Sequence, residues 1–373
     1  MKILITGSNG FIGKNLAAHL KEKEDIELVL YDREDNFSKI EENILSTDFI
    51  FHFAGINRPE SPEEFYAGNT DFTKALIQLL GDKALKIPIV LTSSIQAKLD
   101  NDYGKSKKLA EEVVLEYGKS APVYIYRLHN VFGKWGRPNY NSAVATFCYN
   151  ISHDLDIKVN DESTVLELVY IDDIVYEFIG LLDGNQPSEK EDYYYHVSPH
   201  YQKTLGEIVT LLYSFKESMK SIYVPATGHD FEKKLYATFI SYLSPDEMIV
   251  SPESHTDVRG TFTELVRTFD SGQFAVSTTK PGYVRGNHYH HTKLERFMVV
   301  KGKAMVEFES ILDGVRKQFF VDDSEIKIIT MPVGYIHSIK NIGDEDMILL
   351  IWGSELFNPK RPDTIFKEIT KND

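Results

Sequence analysis

Apolar residues gather in short runs from the start of the chain. Lys2-Ile3-Leu4-Ile5-Thr6 reads as a buried strand, followed by a glycine-rich turn at Gly7, Gly10 and Gly13. Ile12, Leu16 and Leu20 recur every four residues, which is one face of a helix. The same pattern places further strands at 26–31, 48–53, 88–92 and 123–126, with helical spacing over 65–80 and 105–117. Strands alternating with helices predict βαβ units, that is, an α/β Rossmann-like, doubly wound parallel sheet covered on both faces.

The texture changes after residue 243. Ser244-Pro245-Asp246-Glu247, with Pro252 beyond, predicts a linker over 244–252 between a domain at 1–243 and a second at 253–373. In the second, helical periodicity gives way to short Val/Ile/Phe/Thr runs at 274–278, 297–300, 304–308, 317–321, 327–330 and 347–351. Gly302, Asp313-Gly314, Gly334 and Gly343 punctuate them. Many short strands separated by turns predict an all-β domain of jelly-roll type.

Composition narrows the classes. The 373 residues are 42% hydrophobic and 26% charged, which excludes a disordered or collagen-like chain. A net charge of −15 provides no global attraction for nucleic acid or anionic lipid. The longest apolar run near the C-terminus, Met347 to Trp352, is far short of the ~18 residues a membrane span needs, so no membrane insertion is expected. Cys148 has no second cysteine to pair with, and the first residues lack a basic stretch leading into a long apolar one. Both point to a cytoplasmic protein without a signal peptide.

Thr6-Gly7-Ser8-Asn9-Gly10-Phe11-Ile12-Gly13 is a G-x-x-G-x-x-G turn between a strand and a helix, the context a dinucleotide requires. Gly7, Asn9, Gly10, Phe11, Ile12 and Gly13 would cradle a pyrophosphate at the helix N-terminus. Asp32-Arg33 ends the second strand. An acid there binds the ribose 2′-hydroxyl of NAD and an arginine the 2′-phosphate of NADP, and the chain offers both. Tyr103 and Lys107 stand four apart and so share a helical face, after Thr92-Ser93-Ser94 at a strand end. A nearby ammonium is expected to lower the phenol's pKa, so that the pair passes a proton to a carbonyl oxygen held by a serine.

Residues 1 to about 240 resemble an extended short-chain dehydrogenase/reductase of the nucleotide-sugar kind. Thr6–Gly13, Asp48–Gly55, Thr92–Ser94, Tyr103–Lys107, Arg127–Gly133 and Val169–Asp173 carry the resemblance. It implies that Ala54 and Gly55 line the cofactor, that Asp48 lies near the adenine, and that Ser94, Tyr103 and Lys107 are catalytic, with Ser93 a substitute for Ser94. Ser94 and Tyr103 stand closer than is usual, so the intervening loop must be clipped. Asn130, Arg137, Asn139, Tyr140 and Asn141 fall where such enzymes hold the nucleotide sugar. Arg137 is a natural diphosphate partner, and turn structure is the alternative for the asparagines.

The C-terminal part has its own constellation: His288, His290 and Glu295, then His337. On a strand His288 and His290 share a face. Three imidazoles and a carboxylate coordinate a divalent metal, with zinc, nickel, iron and manganese all suited and zinc (Zn2+) expected. The spacing is similar to both cupin motifs, with Ile326 in place of one leading glycine. Asp257–Glu264 and Arg285–His288 resemble the deoxysugar-epimerase branch of cupins. There an imidazole removes a proton beside a ketone, and the matching residue is His288. A metal ligand cannot easily serve as that base, which leaves His291, Lys293 and Tyr335, with His291 placed in the catalytic set.

A reductase followed by a cupin is an unusual order. Nearly the whole chain resembles the bifunctional capsular-polysaccharide enzymes that make UDP-N-acetyl-6-deoxy-L-talose on the way to UDP-N-acetyl-L-fucosamine. That implies C3 epimerisation of a UDP-linked 4-keto-6-deoxy amino sugar by the cupin, C4 reduction with NADPH by the first domain, and a homodimer. Arg33 agrees with NADPH, whereas Asp32 would repel its phosphate unless turned away. Two alternatives stand beside it: a reductase whose cupin only binds sugar or dimerises, and a non-catalytic sugar-nucleotide sensor.

Overall fold

The computed structural model describes residues 1–356, 358–360 and 362–370. Two compact units form, one of 1–213 with 229–243, the other of 214–228 with the residues from Ser244 on. One division falls after Leu243, and the boundary is not a single cut. Segment 214–228 groups with the later residues because Tyr223 bridges to Arg267, whose N–H donates to Ile222 O while Val224 N donates back to Arg267 O. Part of the expected linker is ordered, since Pro245–Met248 is one 3-10 turn closed by a Ser244–Glu247 capping box.

In the first unit the strands are β1 (Lys2–Thr6), β2 (Glu27–Tyr31), β3 (Phe49–His52), β4 (Ile89–Ser94), β5 (Val123–Leu128), β6 (Asn130–Phe132), β7 (Val165–Tyr170), β8 (Glu189–Glu191), β9 (Tyr194–His196) and β10 (His200–Thr204). The main sheet has the order β2-β1-β3-β4-β5-β9-β8, parallel except at β8. A small sheet, β10-β7-β6, is interleaved with it in the chain, since β6 and β7 precede β8 and β9. Apolar runs such as Ile3-Leu4-Ile5 form central strands because both faces are covered. Ile3, Ile5, Phe51 and Tyr126 pack with Leu16, Ile174 and Phe178 on one face, while Leu4, Ile50 and Ile125 pack with Leu76, Leu80 and Val114 on the other. Strand order reverses between β1 and β3, and a crevice opens past the carboxyl ends of the strands at such a point.

The helix expected over 65–80 is interrupted. Pro62–Phe65 and Phe72–Asp82 are α-helical, but Tyr66–Asp71 is a π-helix. The wider turn brings Asn69 to the loop after β3, where its Oδ1 accepts from Ile56 N and its Nδ2 donates to Ile56 O and Ser106 Oγ.

The second unit contains β11 (Ser254–Asp257), β12 (Gly260–Arg267), β13 (Gln273–Thr279), β14 (Val284–Tyr289), β15 (Glu295–Lys301) and β16 (Lys303–Ser310). It continues with β17 (Arg316–Asp322), β18 (Ile328–Met331), β19 (Tyr335–Asn341), β20 (Met347–Gly353) and β21 (Ile365–Phe366). They form two antiparallel sheets, β11-β12-β13-β20-β15-β18 and β17-β16-β19-β14-β21. Alternation directs Phe297 and Val299 from one sheet, and Ala304, Val306 and Ile339 from the other, into a shared core. Among the described residues no helix is long and apolar enough to cross a membrane.

Candidate functional site

Gly7 follows β1 at φ +69°, and a Cβ there would lie 2.7 Å from Ala54 N, so only glycine lets the loops after β1 and β3 meet. Between them opens a cleft of about 1100 Å³. Its walls include Gly7, Asn9, Gly10, Phe11, Ile12, Gly13, Asp32, Arg33 and Gly55, together with Ser94, Tyr103 and Lys107. Asn130, Arg137, Tyr140 and Asn141 line it as well. Typical ligand pockets hold ~300–1,000 Å³, so this one has room for more than a single small ligand.

The Asp32 carboxylate accepts from Asn9 N at 2.7 Å and from Arg33 N at 2.8 Å, which turns it back onto the glycine loop. The two serines at the end of β4 separate by their partners. Ser93 Oγ donates to buried Glu111 at 2.6 Å, whereas Ser94 Oγ accepts from Gln96 N and lines the cleft beside the Tyr103 phenol, whose pKa it pulls down. A 3-10 turn over Ile95–Lys98 spans the shortened connection to the helix Asp102–Tyr117. Burial raises the Tyr103 phenol above its ordinary pKa, and Ser94 opposes this only in part. The lowered phenol pKa expected from Lys107 is therefore not found in the protein alone, because Lys107 Nζ donates instead to Thr92 O at 3.2 Å. Burial brings Lys107 down to about 8, against the pull of Glu111. At neutral pH the site holds a protonated phenol and a charged ammonium, which suits proton donation to a carbonyl oxygen.

The second constellation also assembles. The four residues His288, His290, Glu295 and His337 each bring one ligand atom to a common point, all within 4.8 Å of one another. Glu295 Oε2 is 3.3 Å from His290 Nε2, 3.4 Å from His337 Nε2 and 3.8 Å from His288 Nε2. All four atoms are buried and none has a hydrogen-bond partner. Buried polar atoms are rarely left so, and four orphaned lone pairs aimed at one point fit a divalent cation. Asn287, at φ +58°, forms a bulge in β14 that shifts the register and sets His288 opposite His337. Gly286 is needed there because a Cβ would lie 2.6 Å from His337 O.

Comparison with known proteins agrees with this architecture. Residues 3–194 match the NAD dependent epimerase/dehydratase family, and residues 255–365 match the polysaccharide biosynthesis C-terminal domain. The chain is 46% identical, over 98% of its own and the relative's length, to a UDP-2-acetamido-2,6-beta-L-arabino-hexul-4-ose reductase of Pseudomonas aeruginosa. The chain belongs to the NAD dependent epimerase/dehydratase family. A crystal structure of the capsular polysaccharide assembling protein CapF from Staphylococcus aureus superposes with a TM-score of 0.91 at 42% identity, covering 99% of this chain and 100% of that one. The UDP-glucuronic acid 4-epimerase of Bacillus cereus, in complex with NAD, has the same fold at 17% identity (TM-score 0.54, 65% of this chain and 96% of that one).

Within this epimerase/dehydratase-family frame, four assignments need correction. Asp48 is not beside an adenine. It precedes β3 at the amino end of the sheet, where its carboxylate accepts from Lys2 N at 2.7 Å, opposite the crevice. Ala54 packs against Gly7 and donates to Thr6 Oγ1, and does not line the cleft. Asn139 occupies a left-handed turn position at φ +53° and is likewise absent from the walls. His291 is exposed in the bend that follows β14, its ring perpendicular to that of Tyr289. It is not positioned to act at the cluster.

Other residues escaped the sequence reading. Arg58 lines the cleft and approaches the Tyr140 ring at 5.8 Å, with Arg137 at 4.9 Å from the same ring. Glu111 receives both Ser93 and a bidentate Arg127, whose Nε and Nη2 lie 2.9 and 2.7 Å from its oxygens. No local motif announces Arg58. Glu111 carries a weak signal, one helical turn beyond Lys107.

Proposed function

We propose that the chain reduces the C4 ketone of a UDP-linked 4-keto-6-deoxy amino sugar with NADPH, after epimerisation at C3 in the β unit. The observation that carries the reading is that Ser94, Tyr103 and Lys107 line one cleft with the glycine loop. NADPH bound along that loop would supply hydride to C4. Ser94 holds the ketone oxygen, Tyr103 gives it a proton, and Lys107 keeps positive charge beside the phenolate that remains. Asp32 is engaged by the glycine loop, which leaves Arg33 for a 2′-phosphate and favours NADPH. Arg137, Asn130 and Asn141 face the nucleotide sugar, and Arg58 joins Arg137 at Tyr140.

His288, His290, Glu295 and His337 would hold a divalent ion, Zn2+ by preference, in a cupin. Such an ion supplies positive charge to an oxyanion. A proton on C3 is acidic only while C4 is a ketone, so epimerisation comes first. With His291 facing outward, Lys293 and Tyr335 are the remaining candidates to move that proton. The outward His291 also favours a second reading, in which the β unit binds sugar or pairs two copies as a homodimer without chemistry.

The test follows NADPH absorbance with a UDP-4-keto-6-deoxy-HexNAc substrate. The unaltered chain should oxidise NADPH, and Tyr103→Phe should lose ~10²-fold or more of that rate while still binding cofactor. Near-normal turnover by Tyr103→Phe contradicts the assignment of the acid, and no oxidation by the unaltered chain contradicts the reductase.

A further inference from the structure

Residues 363–367 lie against the strand that carries His288 and ends one residue before His290. β21 pairs antiparallel with β14, matching Phe366 to His288 and Ile365 to Tyr289. Lys367 N donates to Asn287 O at 2.9 Å, and the Phe366 ring stands 5.9 Å from the His288 ring. Asp363 makes the tightest link. Its main-chain carbonyl is hydrogen-bonded to His290 Nδ1. A carbonyl only accepts, so that nitrogen carries the proton and the Nε2 lone pair is left for the cluster. The Asp363 carboxylate meanwhile accepts from His291 N at 2.9 Å, Thr292 N at 2.7 Å, Thr292 Oγ1 at 2.8 Å and Lys293 N at 2.7 Å. Those residues make up the turn between His290 and Glu295. One residue, some seventy positions later in sequence, thus fixes the ring orientation of one ligand through its main-chain carbonyl and the path to the next through its carboxylate.

We infer that residues 363–367 form a strap that sets the geometry of the His288–His290–Glu295–His337 cluster, with Asp363 as a positioning residue, so that cation binding and strap docking are coupled. The inference rests on the metal reading of the cluster. Groups that orient a ligand imidazole typically change metal affinity ~10–100-fold when lost, and the Asp363 carboxylate acts on His290 indirectly, by anchoring the strap whose carbonyl orients that ring. Coupling is reciprocal, so the cation must also hold the strap in place. A second anchor lies further along the tail, where Thr370 N and Oγ1 donate to Glu309, each at 2.9 Å. It touches none of the four ligands.

The experiment uses the full chain and Zn2+ in competition with a chromophoric chelator. Asp363→Ala should bind Zn2+ ~10–100-fold more weakly, Asp363→Asn should fall between it and the unaltered chain, and Thr370→Val should bind normally. Hydrogen exchange at 287–293 and 365–367 should be slower with Zn2+ than with chelator in the unaltered chain, and this difference should shrink in Asp363→Ala. Because exchange is read in the same samples, a variant that fails to fold is recognised by loss of protection in β15 and β20, and Asp363→Asn then decides. Unchanged affinity in the folded Asp363 variants, or strap exchange indifferent to Zn2+, overturns the strap. An unaltered chain that takes up no Zn2+ overturns the metal reading and the strap with it.

Discussion

Ser93 donates its hydroxyl to Glu111 at 2.6 Å, and Glu111 stands one helical turn beyond Lys107. The helix Asp102–Tyr117 therefore meets the end of β4 at three successive turns. Tyr103 reaches Ser94, Lys107 reaches Thr92 O, and Glu111 reaches Ser93. Adjacent serines end with different tasks: one faces the cleft, and the other ties the strand to the helix. Arg127 completes the junction beneath the Tyr194 ring, 3.4 Å from its centre.

Glu111→Gln tests that junction. Glu111 is fully buried and Arg127 nearly so, and removing the carboxylate leaves a buried guanidinium without its counter-charge. Breaking such a pair costs about 3–5 kcal/mol, so the variant should melt at a distinctly lower temperature. Turnover should fall further than substrate KM rises, because Ser94 and Lys107 lose their support and the binding residues do not. Thermal melts and steady-state kinetics on one preparation decide it.

The pH dependence follows from Lys107. Burial holds its pKa down at about 8, with Glu111 opposing and His52 of β3 the other titratable group facing it. His52 is buried, held to about 3, and stays neutral. Turnover should therefore decline as pH rises through about 8, when the ammonium is lost. Lys107→Met should show a low, flat profile over the same range. The stability effect has the opposite slope. The unfolded chain binds this proton up to ~10.4, so between about 8 and that value stability contributed by Lys107 rises with pH. Turnover profiles and melting curves from pH 7 to 10 should move in opposite directions for this residue.

Cofactor choice turns on Arg33. Arg33→Ala should lower kcat/KM for NADPH ~10-fold or more and leave the value for NADH nearly unchanged, since only the 2′-phosphate distinguishes the two. A comparison of the two cofactors on both proteins measures this. A preference for NADH in the unaltered chain would reassign Asp32 to a ribose hydroxyl.

Much of this arrangement was legible in the sequence because it is local. Apolar runs marked β1 to β5, and the glycine spacing, Tyr103-x-x-x-Lys107 and His288-x-His290 each lie within a few residues. The strands carrying the metal ligands were harder to recognise. β14 contains Gly286 and Asn287 at a bulge, and β19 alternates with His337, Ser338 and Lys340, so neither reads as an apolar run. Ser93 and Ser94 are chemically equivalent until Glu111 and Tyr103 separate them. Asp48 misled because the start and end of a strand lie at opposite edges of the sheet. His291 misled because the strand ends at Tyr289 and the chain bends there, which leaves His291 exposed in the turn. Asp363 and Arg58 act through contacts that no spacing encodes.

The most direct test of the two units acting in series is mass analysis of the reduced sugar made by the full chain in D₂O with NADPH. One deuterium at C3 is expected, because the proton removed there is replaced from solvent before C4 is reduced. The same exchange should continue in Tyr103→Phe without NADPH, where reduction is blocked. Reduced product bearing no deuterium at C3 would contradict the series and leave the β unit as a binding or pairing module.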